Sequence, residues 1–172
     1  MERTYGALWL REGLAVHLSN RLSRWPVFMR LEGNLIELNP KSTEDLARAR
    51  LTTAAGQQAW SLVGGNGVPT LGSGDVRTLF YVLSGSFVAF VDQQVGTPAL
   101  MSLYRSSDVP AAFMKLTGHS VADWKAAWLE RRQNTVTGCL DGPQFLHYIR
   151  LAGAGEIGSG ERDSASNGRR GD

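Results

Sequence analysis

Between Asp75 and Gly96 the chain places Val76, Leu79, Phe80, Leu83, Phe87, Phe90 and Val91 on one broad face of a helical repeat. Apolar residues recurring at three- and four-residue spacings mark an amphipathic helix. Asp75 starts it and Gly96 stops it. A face this broad must be covered by other apolar elements, and most of the chain reads as helices separated by turns.

A first helix is expected from about Thr4 to Arg24, with Leu10, Leu14, Leu18 and Leu22 as an i, i+4 stripe, and Pro26 just beyond it. Val27 to Leu38 alternates loosely. It reads as a short hairpin around Glu32-Gly33-Asn34 or as a plain connection. Asn39-Pro40 is a turn signal. Ser42 or Thr43 then caps a helix with Glu44 and Asp45 in its first turn, which reaches Val63, weakened at Gly56, and ends at Gly64-Gly65. Gly64 to Gly74 is a glycine-rich loop. A phosphate-cradling loop needs a preceding strand and a lysine; this one has neither and reads as a flexible loop or lid.

Beyond Gly96, Thr97-Pro98 looks like an N-cap followed by proline at the first helical position, leading a short helix with Leu100, Leu103 and Tyr104. Asp108 caps another through Phe113 to Leu116, ended by Gly118. Ser120 with Asp123 makes a variant capping box for a helix through Trp124 and Trp128. Asp141 and Pro143 open a last helix with Phe145, Leu146 and Ile149. The fold class is therefore mainly α, with one small hairpin at most.

At 172 residues the length is a prior for one domain. Five Trp and 9% aromatic residues exclude disorder throughout. Six glycines fall between Gly153 and Asp172 with a single large apolar residue, Ile157. That stretch cannot offset its ordering entropy by burial and is expected to be a disordered tail, or a linker. The domain reading is thus a helical unit over 1–152 and a tail over 153–172. Eighteen basic against sixteen acidic residues leave a formal charge of +2, which makes no electrostatic case for a nucleic-acid partner or an anionic membrane. Cys139 is the single cysteine, so no intramolecular disulfide and no cysteine-based zinc site can form. No apolar run is expected to span a bilayer, and Met1 to Gly6 lacks the charged-then-apolar plan of a signal peptide.

Glu12 is the candidate for chemistry. On the first helix it lies about 200° from Leu10, off the leucine stripe, on a face with Leu8, Ala15 and Val16. A carboxylate on an apolar face must be paired, protonated or metal-bound. The residues alone leave open a buried acid, a pair with Arg11 or Arg21, or a solvated glutamate. Gly13 and Ala15 are small enough to admit another element.

The string Trp9-Leu10-Arg11-Glu12-Gly13-Leu14-Ala15 resembles the third-ligand helix of gluzincin zinc peptidases, the superfamily of aminopeptidase N and the peptidase MA-like proteins. A second stretch resembles the peptidase MA-like continuation. It runs from Tyr81 through Gly85-Ser86-Phe87, Val95-Gly96 and Gly118-His119-Ser120 to Trp124 and Trp128. Together they cover about residues 5 to 132. The resemblance implies the C-terminal helical part of a zinc-dependent metallopeptidase, with Glu12 as a zinc ligand and a peptide or protein as substrate. It also implies that Tyr81 matches the tyrosine that stabilises the oxyanion. The spacing departs from the family pattern, since Tyr81 and Gly85 are one residue further apart than in aminopeptidase N relatives, which rotates a helical side chain by about 100°. Core packing is the alternative for Tyr81.

The larger departure is in the histidines. A site of this type needs two imidazoles at i and i+4 with a glutamate base between them. The chain holds His17, His119 and His147, none in H-E-x-x-H. His17 lies about 140° around the helix from Glu12 and reads as a packing or solvent-edge residue; His119 reads as a local capping residue and His147 as structural. With one ligand of three, the chain alone is expected to bind no zinc tightly and to be inactive. It reads as a fragment or as a relative that has lost the metal. The alternative reading is a non-catalytic helical interaction module on the peptidase scaffold. Ser84, Gly85 and Ser86 fit a close helix–helix contact better than a nucleophile site.

Overall fold

The computed structural model describes residues 7–22, 27–66, 70–72 and 74–134. These belong to a compact unit spanning Met1–Gly138; a second unit, Cys139–Asp172, lies outside the described residues. So do the expected last helix at Asp141, the boundary at 152, the tail, Cys139 and His147. The described elements are α1 (Leu8–Leu22), β1 (Val27–Leu31), β2 (Asn34–Leu38), α2 (Pro40–Arg50), α3 (Ala54–Leu62), α4 (Gly74–Val95), α5 (Thr97–Tyr104), α6 (Val109–Thr117) and α7 (Val121–Asn134). The architecture is mainly helical with one antiparallel hairpin, as expected.

Helix α4 is the axis. It packs against α1, α2, α3, α5, α7 and β1. All seven residues of the expected apolar face are buried, and so are Val82, Ser84, Gly85, Ser86 and Val88 on its other sides. By length and composition α4 could cross a membrane, with a mean hydropathy of 1.2 over 18 residues, although Asp75, Arg77, Ser84, Ser86 and Asp92 interrupt its apolar run; in this fold 67% of that window is buried inside the protein. Phe87 anchors an aromatic cluster on α4. Trp9 of α1 lies 5.5 Å from it, and Trp60 of α3 meets it edge-on at 5.7 Å. Trp60 also lies 4.5 Å from Trp128 of α7. Lys125 closes this corner: its Nζ donates to the carbonyls of Trp60 at 2.9 Å and Val63 at 2.7 Å, the C-terminal end of α3. Burial there pushes its ammonium below the usual lysine range.

The α1–α4 crossing depends on two glycines. A Cβ on Gly13 would sit 2.5 Å from the Ser84 carbonyl oxygen, and one on Gly85 would sit 2.5 Å from Cγ1 of Val16. The small residues thus make the close helix–helix contact expected of them. The leucine stripe does not hold along its whole length. Leu10 and Leu14 are buried, Leu18 is half-buried and Leu22 is 72% exposed. Each i, i+4 step drifts about 40°, so Leu22 lies about 120° from Leu10. The face α1 buries runs through Leu10, Gly13, Leu14 and His17.

Residues 27–38 form the hairpin, with Leu31 paired to Asn34 across Glu32-Gly33. Both turn residues have positive φ, 50° and 79°, the geometry of a type I′ turn. Glutamate is unusual there. Arg50 grips its carboxylate through two bonds of 2.7 and 2.6 Å, and its N–H donates to Asp75 at 2.9 Å.

Three helix boundaries differ from the sequence expectations. The cap of α2 is Asn39, not Ser42 or Thr43: its side chain accepts from the Ser42 N–H at 2.8 Å, and Ser42 Oγ takes the Asn39 N–H at 2.8 Å. The helix expected to run to Val63 is two helices, with Thr53 capping α3 through the Gly56 N–H. A Cβ on Gly56 would lie 1.9 Å from the Arg50 carbonyl oxygen, so the break is a close return of the chain that only glycine permits. At α5 the cap is Gly96, with φ 81°, and Thr97 is already helical. Asp108, Gly118 and the Ser120–Asp123 box act as expected. The two bonds from Ser120 hold the Asp123 carboxyl below its ordinary range.

Candidate functional site

Two concavities flank α1, and they share Asn20. The smaller, about 220 Å³, is a groove between α1, α4 and the hairpin. Glu12 and Tyr81 both line it, with Val27, Met29 and Leu38 on the hairpin side. The sequence motifs thus meet in one place. Glu12 is not the buried acid expected from its neighbours. Its side chain is 28% exposed and accepts from Nε of Arg11 at 3.0 Å, because Ala15 on the same face is exposed and Val16 only half-buried. The pair with Arg11 was one of the open readings. Tyr81 is half-buried and lies 6.0 Å from the ring of Phe80.

The larger cleft, about 640 Å³, lies between α1, α2, α4 and α7. At its floor Asp92, with a side chain only 8% exposed, accepts three bonds. They come from His17 Nε2 at 2.8 Å, Arg21 Nη1 at 2.7 Å and Thr97 Oγ1 at 2.8 Å. An ionised carboxylate can only accept, so this contact puts the ring proton of His17 on Nε2. Burial is the largest single influence on the Asp92 carboxyl and pushes its pKa up. The bonds from His17 and Thr97, with the positive charge of Arg21, outweigh burial together and hold it below the usual value. A second cluster sits beside it. Ser86 donates to Glu44 Oε2, Arg48 Nε donates to Glu44 Oε1 at 3.0 Å, and Asn20 Nδ2 donates to Thr43 Oγ1 at 2.9 Å.

The Ser86 hydroxyl donates a hydrogen bond to Glu44, and His17 faces Asp92, so among the described residues of this cleft no serine–histidine–acid relay is assembled. The groove pattern contains no metal cluster either: among the described residues no three His, Cys, Asp or Glu side chains gather closely enough to hold an ion. His119 stays local, its N–H donating to Thr117 Oγ1 at 3.2 Å.

His17 is buried as a packing residue, yet its role as the partner of Asp92 was not foreseen. Arg21, offered as a partner for Glu12, pairs with Asp92 instead. Asp92, Thr43, Glu44 and Ser86 were missed as a cluster. The one signal in the sequence was a charged residue next to Phe90 and Val91 in an apolar helix. Set against protein-family models, curated proteins and solved structures, the chain has no significant match.

Proposed function

We propose that this chain carries the third-ligand helix of a gluzincin-type zinc peptidase domain. What supports the reading is the common groove: Glu12 on α1 and Tyr81 on α4, the two residues singled out by the resemblance, line one open concavity beside the hairpin. Zinc sites of this class take three protein ligands and leave one position open. The described residues offer Glu12 alone of that set, so by themselves they do not fit the ion. Two imidazoles and a glutamate base would have to come from a further segment, because no H-E-x-x-H occurs in this sequence.

The test extends the protein upstream of Met1 in its reading frame. The expected result is an in-frame H-E-x-x-H about twenty residues before Glu12, with zinc-dependent peptide hydrolysis that Glu12→Gln abolishes, since an amide is a poor zinc ligand. An extended chain without that helix, or hydrolysis indifferent to Glu12→Gln, overturns the proposal. The second reading is a non-catalytic interaction module. The pair between Glu12 and Arg11 favours it, because a carboxylate already neutralised by a guanidinium has a structural partner.

A further inference from the structure

The larger cleft is not used by that reading, and its floor carries an imidazole with one nitrogen still open. His17 is 8% exposed. Its Nε2 donates to Asp92 Oδ2 at 2.8 Å, and a neutral imidazole then keeps an acceptor lone pair on Nδ1. Among the described residues Nδ1 has no hydrogen-bond partner, and it is not one of the polar atoms sealed away from solvent. His17 lines the cleft of about 640 Å³ and not the groove that holds Glu12. Nδ1 is therefore reached from the cleft.

The carboxylate on the far side of the ring gives that lone pair a use. An acid bonded to one ring nitrogen fixes the tautomer and stabilises the imidazolium that forms when the other nitrogen takes a proton. Asp92 is itself anchored, since Thr97 donates to its Oδ1 at 2.8 Å and Arg21 to its Oδ2 at 2.7 Å. Arg21 and His17 thus meet at one oxygen, which sets a guanidinium beside the ring. Arg21 makes no other hydrogen bond among the described residues and lines the same cleft. Its remaining N–H groups are donors of the kind that a developing oxyanion needs. Ser86 is turned toward Glu44 and offers no nucleophile to His17, so the nucleophile this base can serve is water.

We propose that His17 is the general base of a hydrolytic site for esters of small carboxylic acids, with Asp92 as its positioning residue and Arg21 as the oxyanion donor. Nδ1 takes a proton from water while the water oxygen bonds to the carbonyl carbon, and Arg21 donates to the carbonyl oxygen as it turns negative. The tetrahedral intermediate collapses, the bond from carbon to the alcohol oxygen breaks, and the proton on Nδ1 passes to the departing alkoxide. A carboxylic acid and an alcohol leave, and the imidazole is neutral again. The low exposure of His17 limits the acyl group to a small one.

The probe is 4-nitrophenyl acetate, with release of 4-nitrophenolate by the full chain as the readout. Saturable hydrolysis above the buffer rate is expected. His17→Gln should lower kcat about a hundredfold, the scale of general-base catalysis. Asp92→Asn and Arg21→Gln should each lower kcat about tenfold with KM unchanged, a split that marks an interaction made in the transition state rather than lost packing. Replacing the other two histidines together, His119→Gln with His147→Gln, should leave the rate as it was, which separates this site from casual attack by surface imidazoles. The unaltered chain supplies a second measurement with diethyl pyrocarbonate. Nδ1 attacks one of its carbonyls, takes up an ethoxycarbonyl group, and ethanol and carbon dioxide leave. Peptide masses should show that group on His17 of the folded protein, with hydrolysis lost in proportion. Absence of hydrolysis above buffer, a rate that survives His17→Gln or disappears with the other two histidines, or a His17 that stays unmodified overturns the proposal and leaves His17 and Asp92 as a pair that only ties α1 to α4.

Discussion

The two flanks of α1 were built by different means. On one flank Glu12 belongs to a contiguous string and pairs with the residue beside it, Arg11. On the other, His17 meets Asp92, which lies 75 residues away, and the pair is almost fully enclosed. A local motif here marks a groove whose acid pairs with its neighbour in the chain and remains part-exposed. The more elaborate polar construction has no motif at all. Buried polar groups must be satisfied, and chain-distant helices satisfy them by contact that no spacing rule records.

If that contrast is right, the distant pair should matter to stability far more than the motif glutamate. Asp92→Ala is expected to cost about 3 kcal/mol, toward the low end for breaking a buried pair because Arg21 is half-exposed and can turn to water. Urea unfolding of the two proteins measures it; a cost under about 1 kcal/mol would put Asp92 among ordinary surface acids.

Gly13→Ala tests the crossing that both concavities share. The added Cβ meets a backbone oxygen at 2.5 Å, not a flexible side-chain tip. Helix propensity favours the change by about 1 kcal/mol, yet overpacking should outweigh it for a net loss of about 2 kcal/mol. A melting temperature equal to or above that of the parent protein would show that α1 can shift away from Ser84.

Acid separates the flanks by a different route. The Asp92 carboxyl has a lower pKa folded than unfolded. Its contribution is therefore complete above the unfolded value of about 3.9 and is lost as pH falls through the folded value. The parent protein should lose stability below about pH 4, and Asp92→Asn should lose less over the same interval. Parallel curves for the two proteins would remove Asp92 from the acid response.

Glu12→Gln should change stability least, within about 0.5 kcal/mol, because its pair with Arg11 is part-exposed and screened by solvent. Denaturant unfolding resolves it. A loss above about 1.5 kcal/mol would mean a charge-assisted bond that holds the fold, favouring the structural-acid reading over a ligand kept open for an ion.

Much of the helical plan was legible in the residues. Asp108, Gly118 and the Ser120–Asp123 box acted locally, through bonds spanning three or four residues, and such bonds can be read from spacing. The hairpin was legible as one of two options. Its turn needed Glu32 at positive φ, which Arg50 and Asp75 support from two other helices. The start of α2 was misplaced although Asn39-Pro40 is itself a cap followed by proline at the first helical position. The split between α2 and α3 was read as a weakness at Gly56, when that glycine sits inside α3 and makes room for the Arg50 carbonyl.

What the sequence determined by itself is the mainly helical class, most of the described helices apart from the α2–α3 split, the covered face of α4, and the fitness of the small residues Gly13 and Gly85 for close approach. Each follows from periodicity, capping or side-chain size, which act over a few residues. Only the tertiary structure decided that α4 is buried on nearly every side, that Leu22 faces water, and that Arg21 serves Asp92 rather than Glu12. It also decided that Glu12 stays part-exposed. A side chain's burial and charge partner depend on which surface packs opposite it, and that surface is set by helices brought together from distant parts of the chain.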